Sequence, residues 1–411
     1  MRKLIWISGL SYLLIGFAHV IIGSIMPVLL EHYDQDYTAG GTLIFAQFAG
    51  FLIGVLVSPW LIGRMGNRKA LLLAMVFLFA AELAYTFLPA WHWMYVIGAF
   101  AGFGFGMIEA VIGTLIIAAA ADQAAMAMSR IEVAFGVGAL LMPLISGWLI
   151  RSDSWRYAFL IISMFSLAMI VVWFSSRFGA LQEKIDKRPA GDNNGEIAAL
   201  QTSSSQPKSS WLALYSGPRA LLLIVFVLFF FLYVGTEMGF VNFLPSMLIE
   251  KTGSSEASAA YGVTAFWIAM SAGRIYAGVL AQRIGFAKYI VSGIVVALIF
   301  MALFTLVQHE ALLFGTILVI GLFLSGIFSI SLVYATRLLP GSEETTPSLL
   351  IASGGVGGAV LPLLLGNSMD EQGARFSGWL LAGVLALMLV LSLVIVLINR
   401  LEKPKLLTTT K

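Results

Sequence analysis

Cysteine is absent from the sequence, and charged residues are scarce. Without cysteine, the chain has no disulfides and no thiolate metal ligands. Charged residues make up 11% of the 411 residues and hydrophobic residues 60%, whereas soluble domains contain about 25% charged residues. Apolar runs of the length that spans a bilayer, about 20 residues, recur from 4–30 to 379–398. The sequence therefore predicts an all-α membrane protein with about twelve transmembrane helices.

The sequence also lacks the signature of a soluble enzyme. Glycine strings such as residues 102–106 lie inside apolar spans and not at a strand-to-helix turn, which excludes a nucleotide-binding fingerprint. The apolar stretch after Met1 continues to Pro27 without a small-residue cleavage site, so we interpret it as the first span and not as a signal peptide. We expect no enzyme activity, no cofactor, no metal and no nucleic-acid partner.

Basic residues are distributed unevenly between the predicted loops. With both termini inside, 19 Lys and Arg residues fall on the cytoplasmic side and 4 on the outer side, while Arg274 lies within a span. Cytoplasmic loops carry the excess of basic residues in membrane proteins. The distribution favours a multi-pass protein of a bacterial inner membrane with both termini in the cytoplasm. We expect it to function as a monomer in the lipid bilayer.

One long polar segment divides the chain near its midpoint. Residues 177–218 contain the stretch Gly191-Asp192-Asn193-Asn194-Gly195 and three consecutive serines, and they have too little apolar content to pack. This composition is typical of a linker. We predict a cytoplasmic linker loop between an N-terminal six-helix bundle, residues 1–176, and a C-terminal six-helix bundle, residues 219–411.

Similarity between the two halves predicts a parallel repeat. The segment from Gly54 to Lys69 matches the segment from Gly273 to Lys288 at an offset of 219 residues. Three further pairs share this offset: Gly136 with Gly355, Pro143 with Pro362, and Gly147 with Gly366. Repeats of this kind place the binding site near the membrane midplane, between the halves. We predict two pseudo-symmetric bundles around a central pathway.

Two prolines occupy equivalent positions in the first and seventh spans. Pro27 and His19 match Pro245 and Glu237 at an offset of 218 residues. Proline cannot donate a backbone hydrogen bond, so each span is expected to break locally. Interrupted helices at matching positions point to a binding site. Such a break would let Glu237 and Asn242, which face apart on a regular helix, reach the same cavity.

The basic loops after the second and eighth spans resemble the loop signature of the major facilitator superfamily. In that signature an acid stands where this chain has Gly63 and Gln282, ahead of Arg64 and Arg283. We assign these two arginines a gating or structural role at the cytoplasmic surface. A narrower resemblance is carried by residues 16–27, 47–51, 106–109, 131–136 and 236–245. These segments are similar to the fucose–proton symporter family, and most of all to glucose/mannose–proton symporters of Gram-positive bacteria. The resemblance implies proton-coupled uptake of a neutral hexose by alternating access.

Four acids lie within predicted spans, where an ionisable side chain is costly and marks function by default. A neutral sugar has no charge to couple to, and burial disfavours a charged carboxylate. Glu109 and Glu237 are therefore predicted to carry the proton, a hydrogen-bonded structural carboxyl being the alternative for each. Glu132 is as consistent with an inter-helix contact as with a substrate role. Glu82, in the third span, is left out of the site.

A sugar site needs several hydrogen-bonding groups and an aromatic face for the C–H surface of the ring. His19, Gln47, Asn242 and Trp267 are predicted to supply them, together with Glu109, Glu132 and Glu237. Arg274 lies within the eighth span and must be paired or reach the interface. A structural ion pair and a gate are both consistent with this position.

Two other classes of protein remain as alternatives. A proton-coupled drug or metabolite exporter would also suit intramembrane acids and 17 methionines. Drug–proton antiporters of this superfamily carry an arginine in the fourth span, however, and residues 95–121 contain none. A non-transporting sensor would need a signalling domain or a long tail, and the segment after Arg400 is short.

Overall fold

Long helices make up the fold. A computed structural model describes residues 2–120, 124–178, 182, 218–339 and 345–408, and every regular element in these ranges is an α-helix. The helices are α1 (Arg2–Tyr33), α2 (Tyr37–Met65), α3 (Asn67–Thr86), α4 (Trp91–Ala120), α5 (Ala124–Arg151), α6 (Tyr157–Ser175), α7 (Pro218–Thr252), α8 (Glu256–Ile284), α9 (Phe286–Leu306), α10 (Glu310–Leu324), α11 (Ile327–Leu338) and α12 (Thr345–Thr408). The predicted all-α membrane fold is confirmed.

Eleven stretches among the described residues are long and apolar enough to cross a bilayer. One stretch, Glu310–Leu338, combines α10 and α11. Another, Thr346–Arg400, has 55 residues, which is about 80 Å of helix and more than two hydrocarbon cores of about 30 Å. Gly373, with φ 77° and ψ 176°, interrupts this helix and divides α12 into two arms, residues 345–372 and 374–408. When the two arms of α12 are counted separately, the described residues contain twelve stretches of spanning length.

Helix contacts repeat between the halves at the register read from the sequence. A Cβ on Gly54 would overlap the carbonyl oxygen of Phe103, and a Cβ on Gly273 would come 2.8 Å from that of Leu322. Both residues of the second pair lie 219 positions after those of the first. The same offset relates a second set of contacts: Gly102 against Gln47, and Gly321 against Phe266. The packing of α2 on α4 is thus repeated by α8 on α10, which gives the pseudo-symmetry of the two bundles.

The halves touch each other through equivalent glycines near one end of the helices. Gly147 of α5 packs on the carbonyl oxygen of Ala257 in α8, and Gly366 of α12 packs on that of Tyr37 in α2. Asp370 strengthens the second contact, because its carboxylate accepts hydrogen bonds from three donors at the start of α2: Tyr37 N (2.8 Å), Thr38 N (2.6 Å) and Thr38 Oγ1 (2.6 Å). We call these contacts the outer interface, since the predicted orientation places them outside the cell.

The expected breaks at Pro27 and Pro245 are wrong. Both α1 and α7 continue as α-helices through their prolines. A single proline removes one backbone hydrogen bond, and the surrounding residues of each helix are buried against neighbouring helices, which hold the helix in place. Glu237 and Asn242 therefore remain on different faces of α7. Asn242 packs against Gly23 of α1, where its side-chain oxygen lies within 2.6 Å of the position of a Cβ.

The glycines of the two basic loops end α2 and α8 in the same way. Gly66 and Gly285 have φ of 83° and 92°, which favours glycine, and their N–H groups donate to Ile62 O (2.8 Å) and Ala281 O (3.0 Å). In the first loop, Arg68 donates to three carbonyl oxygens around the end of α6. The linker predicted at residues 177–218 lies outside the described residues except for positions 177, 178, 182 and 218.

Candidate functional site

Four charged side chains form a chain of interactions across the two halves. Glu237 of α7 and Arg274 of α8 form an ion pair, with Arg274 Nη2 3.9 Å from Glu237 Oε1. The charge of Arg274 also interacts with that of Glu132 on α5, which in turn interacts with Glu109 on α4. The structure thus brings together three acids singled out in the sequence and the arginine of the eighth span. We call these four residues the charged chain.

The four residues of the charged chain differ in exposure, from buried Glu237 to exposed Arg274 and Glu132. The side chain of Glu237 is 7% exposed and that of Arg274 is 40% exposed. Glu109 is partly exposed and Glu132 is exposed. Since Glu132 interacts with groups on both halves, its exposure indicates an opening between them. A buried carboxylate needs a partner to remain charged, and Arg274 provides it for Glu237.

Two tyrosines beside the charged chain were missed in the sequence. Tyr12 of α1 is buried, its hydroxyl donates to Glu109 O (3.4 Å), and it interacts electrostatically with Glu109 and Glu132. Tyr233 of α7 is buried, and its hydroxyl donates to Leu324 O at 2.9 Å. Helical spacing could have found Tyr233, because it precedes Glu237 by four residues and so shares its face.

His19 lies in an aromatic enclosure between the halves. Its ring makes edge contacts with Phe48, Phe105 and Phe135, with centroid distances of 5.4, 5.8 and 5.5 Å. Its Nε2 lies 3.0 Å from Met238 Sδ on α7. His19 thus contacts Met238. Met238 is the neighbour of Glu237, the residue that matches His19 in the repeat.

Trp267 connects the aromatic enclosure to the charged chain. Its ring packs edge-on against Phe135 at 6.0 Å, and the guanidinium of Arg274 lies over it at 5.9 Å. The side chain is 1% exposed, and its Nε1 has no hydrogen-bond partner within the described ranges. A buried donor without a partner costs about 1–3 kcal/mol.

The two predicted amides lie at helix crossings near this centre. Gln47 is 2% exposed and donates from Nε2 to Ala18 O on α1 at 3.1 Å. Asn242 is also 2% exposed and donates from Nδ2 to Met238 O at 2.9 Å. Each amide therefore donates one hydrogen bond to a backbone carbonyl. That its remaining polar groups bind the substrate stays a prediction.

The other residues considered in the sequence lie apart from the charged chain. The guanidinium of Arg64 lies over the Trp60 ring at 4.3 Å, in the last turn of α2. Arg283 is in the last turn of α8. Glu82 is 1% exposed in α3, and its Oε2 has no hydrogen-bond partner in the part of the chain that the structure covers. In that part, no group of three or more His, Asp or Glu side chains is arranged to hold a metal ion.

The sequence and the structure both resemble known transporters. A family model described as Major Facilitator Superfamily matches residues 9–248 and 230–411. The glucose/mannose transporter GlcP of Bacillus subtilis is 29% identical over 360 residues, which are 87% of this chain and 86% of that protein. The fosmidomycin resistance protein of Escherichia coli is 25% identical over 396 residues, covering 93% and 91%. The xylose transporter XylE from E. coli, in a partially occluded inward-open conformation, has a TM-score of 0.73 at 14% identity, covering 95% and 96%.

Proposed function

This chain belongs to the Major Facilitator Superfamily, and from that premise we propose that it takes up a neutral hexose together with a proton. It is a multi-pass membrane transporter and not an enzyme. The observation that carries the proposal is the charged chain, which crosses from one half to the other beside the unpartnered indole N–H of Trp267. The similarity to GlcP supports a hexose as the substrate.

The residues around Trp267 are suited to binding a sugar. Aromatic rings cover the apolar C–H face of a pyranose, while carboxylates and N–H groups bind its hydroxyls. Trp267 and Phe135 provide the rings, and Glu132 and the Trp267 N–H provide polar groups. Gln47, Asn242 and His19 stand around this centre at the contacts of α1 with α2 and α7. The substrate would thus lie between the halves, in contact with both.

Glu237 and Glu109 are the proposed proton carriers. When Glu237 is protonated, its attraction to Arg274 is lost, and the guanidinium is free to interact with Glu132 of the opposite half. When Glu237 loses its proton, Arg274 returns to it. The protonation state of Glu237 therefore determines whether Arg274 interacts with Glu237 in its own half or with Glu132 in the other half. This links proton binding to the relative position of the halves. Glu109 affects the same balance through its charge interaction with Glu132.

The described arrangement corresponds to an inward-facing conformation under the proposed orientation. The outer interface is closed by Asp370 and by the glycine contacts around it. Glu132 and Arg274 are exposed within the opening between the halves. In a bacterial inner membrane with both termini in the cytoplasm, this opening would release sugar and proton into the cell.

Counterflow in proteoliposomes tests the substrate. Vesicles loaded with one unlabelled hexose at a time should take up the matching labelled hexose transiently and with saturation, and glucose and mannose should give the strongest signal. Labelled hexose should not enter beyond equilibrium when the proton gradient is collapsed. Vesicles without the protein provide the control. Absence of exchange for every hexose in the panel would reject the sugar proposal.

Export of a drug or metabolite is the second candidate, favoured by the similarity to the fosmidomycin resistance protein. Right-side-out vesicles with an inward proton gradient distinguish the two. A symporter accumulates its solute under this gradient, whereas a proton antiporter expels it. Resistance of cells to fosmidomycin on expression of the chain, without any hexose exchange, would favour the exporter.

Replacing Asp370 by Asn should open the outer interface. The substitution removes charge-assisted hydrogen bonds to the start of α2, each worth about 1.5 kcal/mol or more, and the open population should rise about tenfold. Thr42 shares the face of Thr38 one turn further along α2. Since the chain has no native cysteine, Thr42→Cys can report the opening through its reaction with an impermeant maleimide added outside.

The matched control for this prediction is Asp153→Asn. Asp153 lies between α5 and α6 with φ of 52°, which Asn tolerates. Labelling of Thr42→Cys should be faster with Asp370→Asn and unchanged with Asp153→Asn. Equal labelling rates in all three proteins would contradict the role given to Asp370.

A further inference from the structure

Basic residues are rare on the predicted outer side, and two of the four lie at one place. Arg151 and Arg156 each lie over an aromatic ring, at 5.6 and 5.1 Å from its centre. Lys251 and Arg375 instead line a common cavity of about 240 Å³, which we call the outer cavity. Among the described residues, neither of these two cations forms a salt bridge with a carboxylate. The lining consists of Glu250, Lys251, Thr305, Leu306, Gln308 and Arg375.

The outer cavity lies where three membrane helices end or bend. Lys251 is the last residue but one of α7, and Leu306 is the last residue of α9. Arg375 follows Gly373, at which α12 divides into its two arms. Leu306 is 54% exposed and Phe376 is 44% exposed, so the cavity borders the surface that faces lipid. Since the apolar spans end here, its charged groups lie at the level of the phospholipid headgroups.

The ammonium group of Lys251 is held in place at the outer cavity. Its Nζ donates to Thr305 O at 2.9 Å and lies 5.7 Å from the centre of the Phe304 ring. An ammonium has three N–H donors, and this hydrogen bond uses one of them. The side chain is therefore fixed in position while it keeps donors for a ligand.

The carboxylate in the lining is engaged with the backbone. Glu250 Oε1 accepts a hydrogen bond from Ala374 N at 2.8 Å, at the first residue of the second arm of α12. A carboxylate at a helix N-terminus stabilises the helix dipole, so Glu250 serves as a cap. With two cations and one carboxylate, the lining has a net charge of +1. Lys251 and Arg375 repel each other across the cavity unless an anion lies between them.

We propose that the outer cavity is a binding site for a phosphate group, held between Lys251 and Arg375. Hydrogen bonds from a guanidinium or an ammonium to phosphate oxygens are charge-assisted and strong. The volume of about 240 Å³ is smaller than that of pockets for drug-sized ligands, about 300–1,000 Å³, and suits one small anionic group.

Two sources could supply the phosphate: inorganic phosphate, or the headgroup of an anionic phospholipid in the outer leaflet. The position at the membrane surface favours the headgroup. Its acyl chains would then lie along the exposed side chains of Leu306 and Phe376. A bound headgroup would connect the ends of α7 and α9 to the second arm of α12.

Thermal unfolding of the purified full-length protein in a maltoside detergent tests the site. Short-chain phosphatidylglycerol, inorganic phosphate and phosphatidylcholine of the same chain length are added separately, the lipids below their micelle concentrations. Phosphatidylglycerol should raise the unfolding midpoint by about 3 °C and with saturation, because a ligand of the folded state stabilises it. Phosphatidylcholine should give little shift, since its headgroup has no net charge.

Lys251→Gln and Arg375→Gln each remove one of the two cations. In either variant the lipid concentration that gives half of the maximal shift should rise about tenfold, because a charge-assisted contact is lost. Arg375 is exposed, so Arg375→Gln should fold even if Lys251→Gln is destabilised by loss of the hydrogen bond to Thr305 O. The matched control is Arg156→Gln, which removes an exposed outer cation of the other half and should respond as the unaltered protein.

Inorganic phosphate identifies the source. A shift with phosphatidylglycerol and none with phosphate assigns the site to a headgroup, whereas equal shifts at equal concentrations assign it to free phosphate, and both support the site. Three results would overturn the proposal: no shift with either anion, equal shifts with the two lipids, or an unchanged response in both Lys251→Gln and Arg375→Gln. The measurement uses no sugar, so its outcome does not depend on the proposed function.

Discussion

Replacing Glu237 by Gln is expected to abolish proton-driven accumulation of hexose and to preserve exchange. Gln keeps the size and hydrogen-bonding capacity of a protonated Glu but cannot release a proton. The sugar could still bind and cross with the halves, but no proton would cross with it. In vesicles with an inward proton gradient, uptake should fall to the equilibrium level, whereas counterflow of labelled against unlabelled hexose should continue.

Two matched variants show which acid is responsible. Glu109→Gln changes the second proposed carrier, and unchanged accumulation in this variant would remove Glu109 as a coupling residue. Glu82→Gln changes a buried acid outside the charged chain and should accumulate hexose as the unaltered protein does. Accumulation that persists in Glu237→Gln would reject Glu237 as the carrier. Loss of counterflow in the same variant would show that the substitution damages binding and not coupling.

Replacing Gly357 by Ala is expected to prevent stable packing of the C-terminal half. A Cβ at this position would overlap the carbonyl oxygen of Phe231 on α7, and backbone atoms on both sides leave no side chain that can move away. Overpacking of this kind costs about 1–3 kcal/mol or more. We expect a marked loss of monodisperse protein in detergent and a lower midpoint of thermal unfolding for the fraction that folds.

The repeat supplies a second test and a control. Gly138 meets the carbonyl oxygen of Leu13 in the same way, so Gly138→Ala should be destabilised in a similar manner. Gly315 has no atom within 4 Å of an added Cβ, and Gly315→Ala should be neutral or stabilising because Ala favours the helix by up to about 1 kcal/mol. Equal unfolding midpoints for the three variants would contradict the tight crossing of these helices.

The sequence predicted the repeat well because glycine contacts depend on spacing along the helix. Gly54 and Gly273 need the same close approach of a neighbouring helix, and this need is visible as two small residues at a constant offset. Helix breaks were predicted less well. Pro27 and Pro245 suggested breaks that the buried helices do not have. The tenth span, in contrast, is divided into α10 and α11 at Ser325 and Gly326, and no proline there indicates it.

The residues of the charged chain could largely be predicted from the sequence, but which of them interact with each other could not. Glu237 and Arg274 each stand out as ionisable residues within a span. That Arg274 pairs with Glu237 and also reaches Glu132 depends on how α5, α7 and α8 cross, and helix crossing is a property of packing and not of spacing in one helix. The unpartnered N–H of Trp267 could not be predicted for the same reason.

The tenth span is divided into α10 and α11 at Ser325 and Gly326, and this has a mechanical consequence for a molecule with two similar halves. Its counterpart α4 is one uninterrupted helix, so a displacement of one end of α4 also moves the other end. The tenth span consists of two shorter helices, α10 and α11, that meet at Ser325 and Gly326. We expect the two halves to share their architecture but not their stiffness. The first half should move as a rigid body, whereas the second should change its internal shape when the transporter changes conformation.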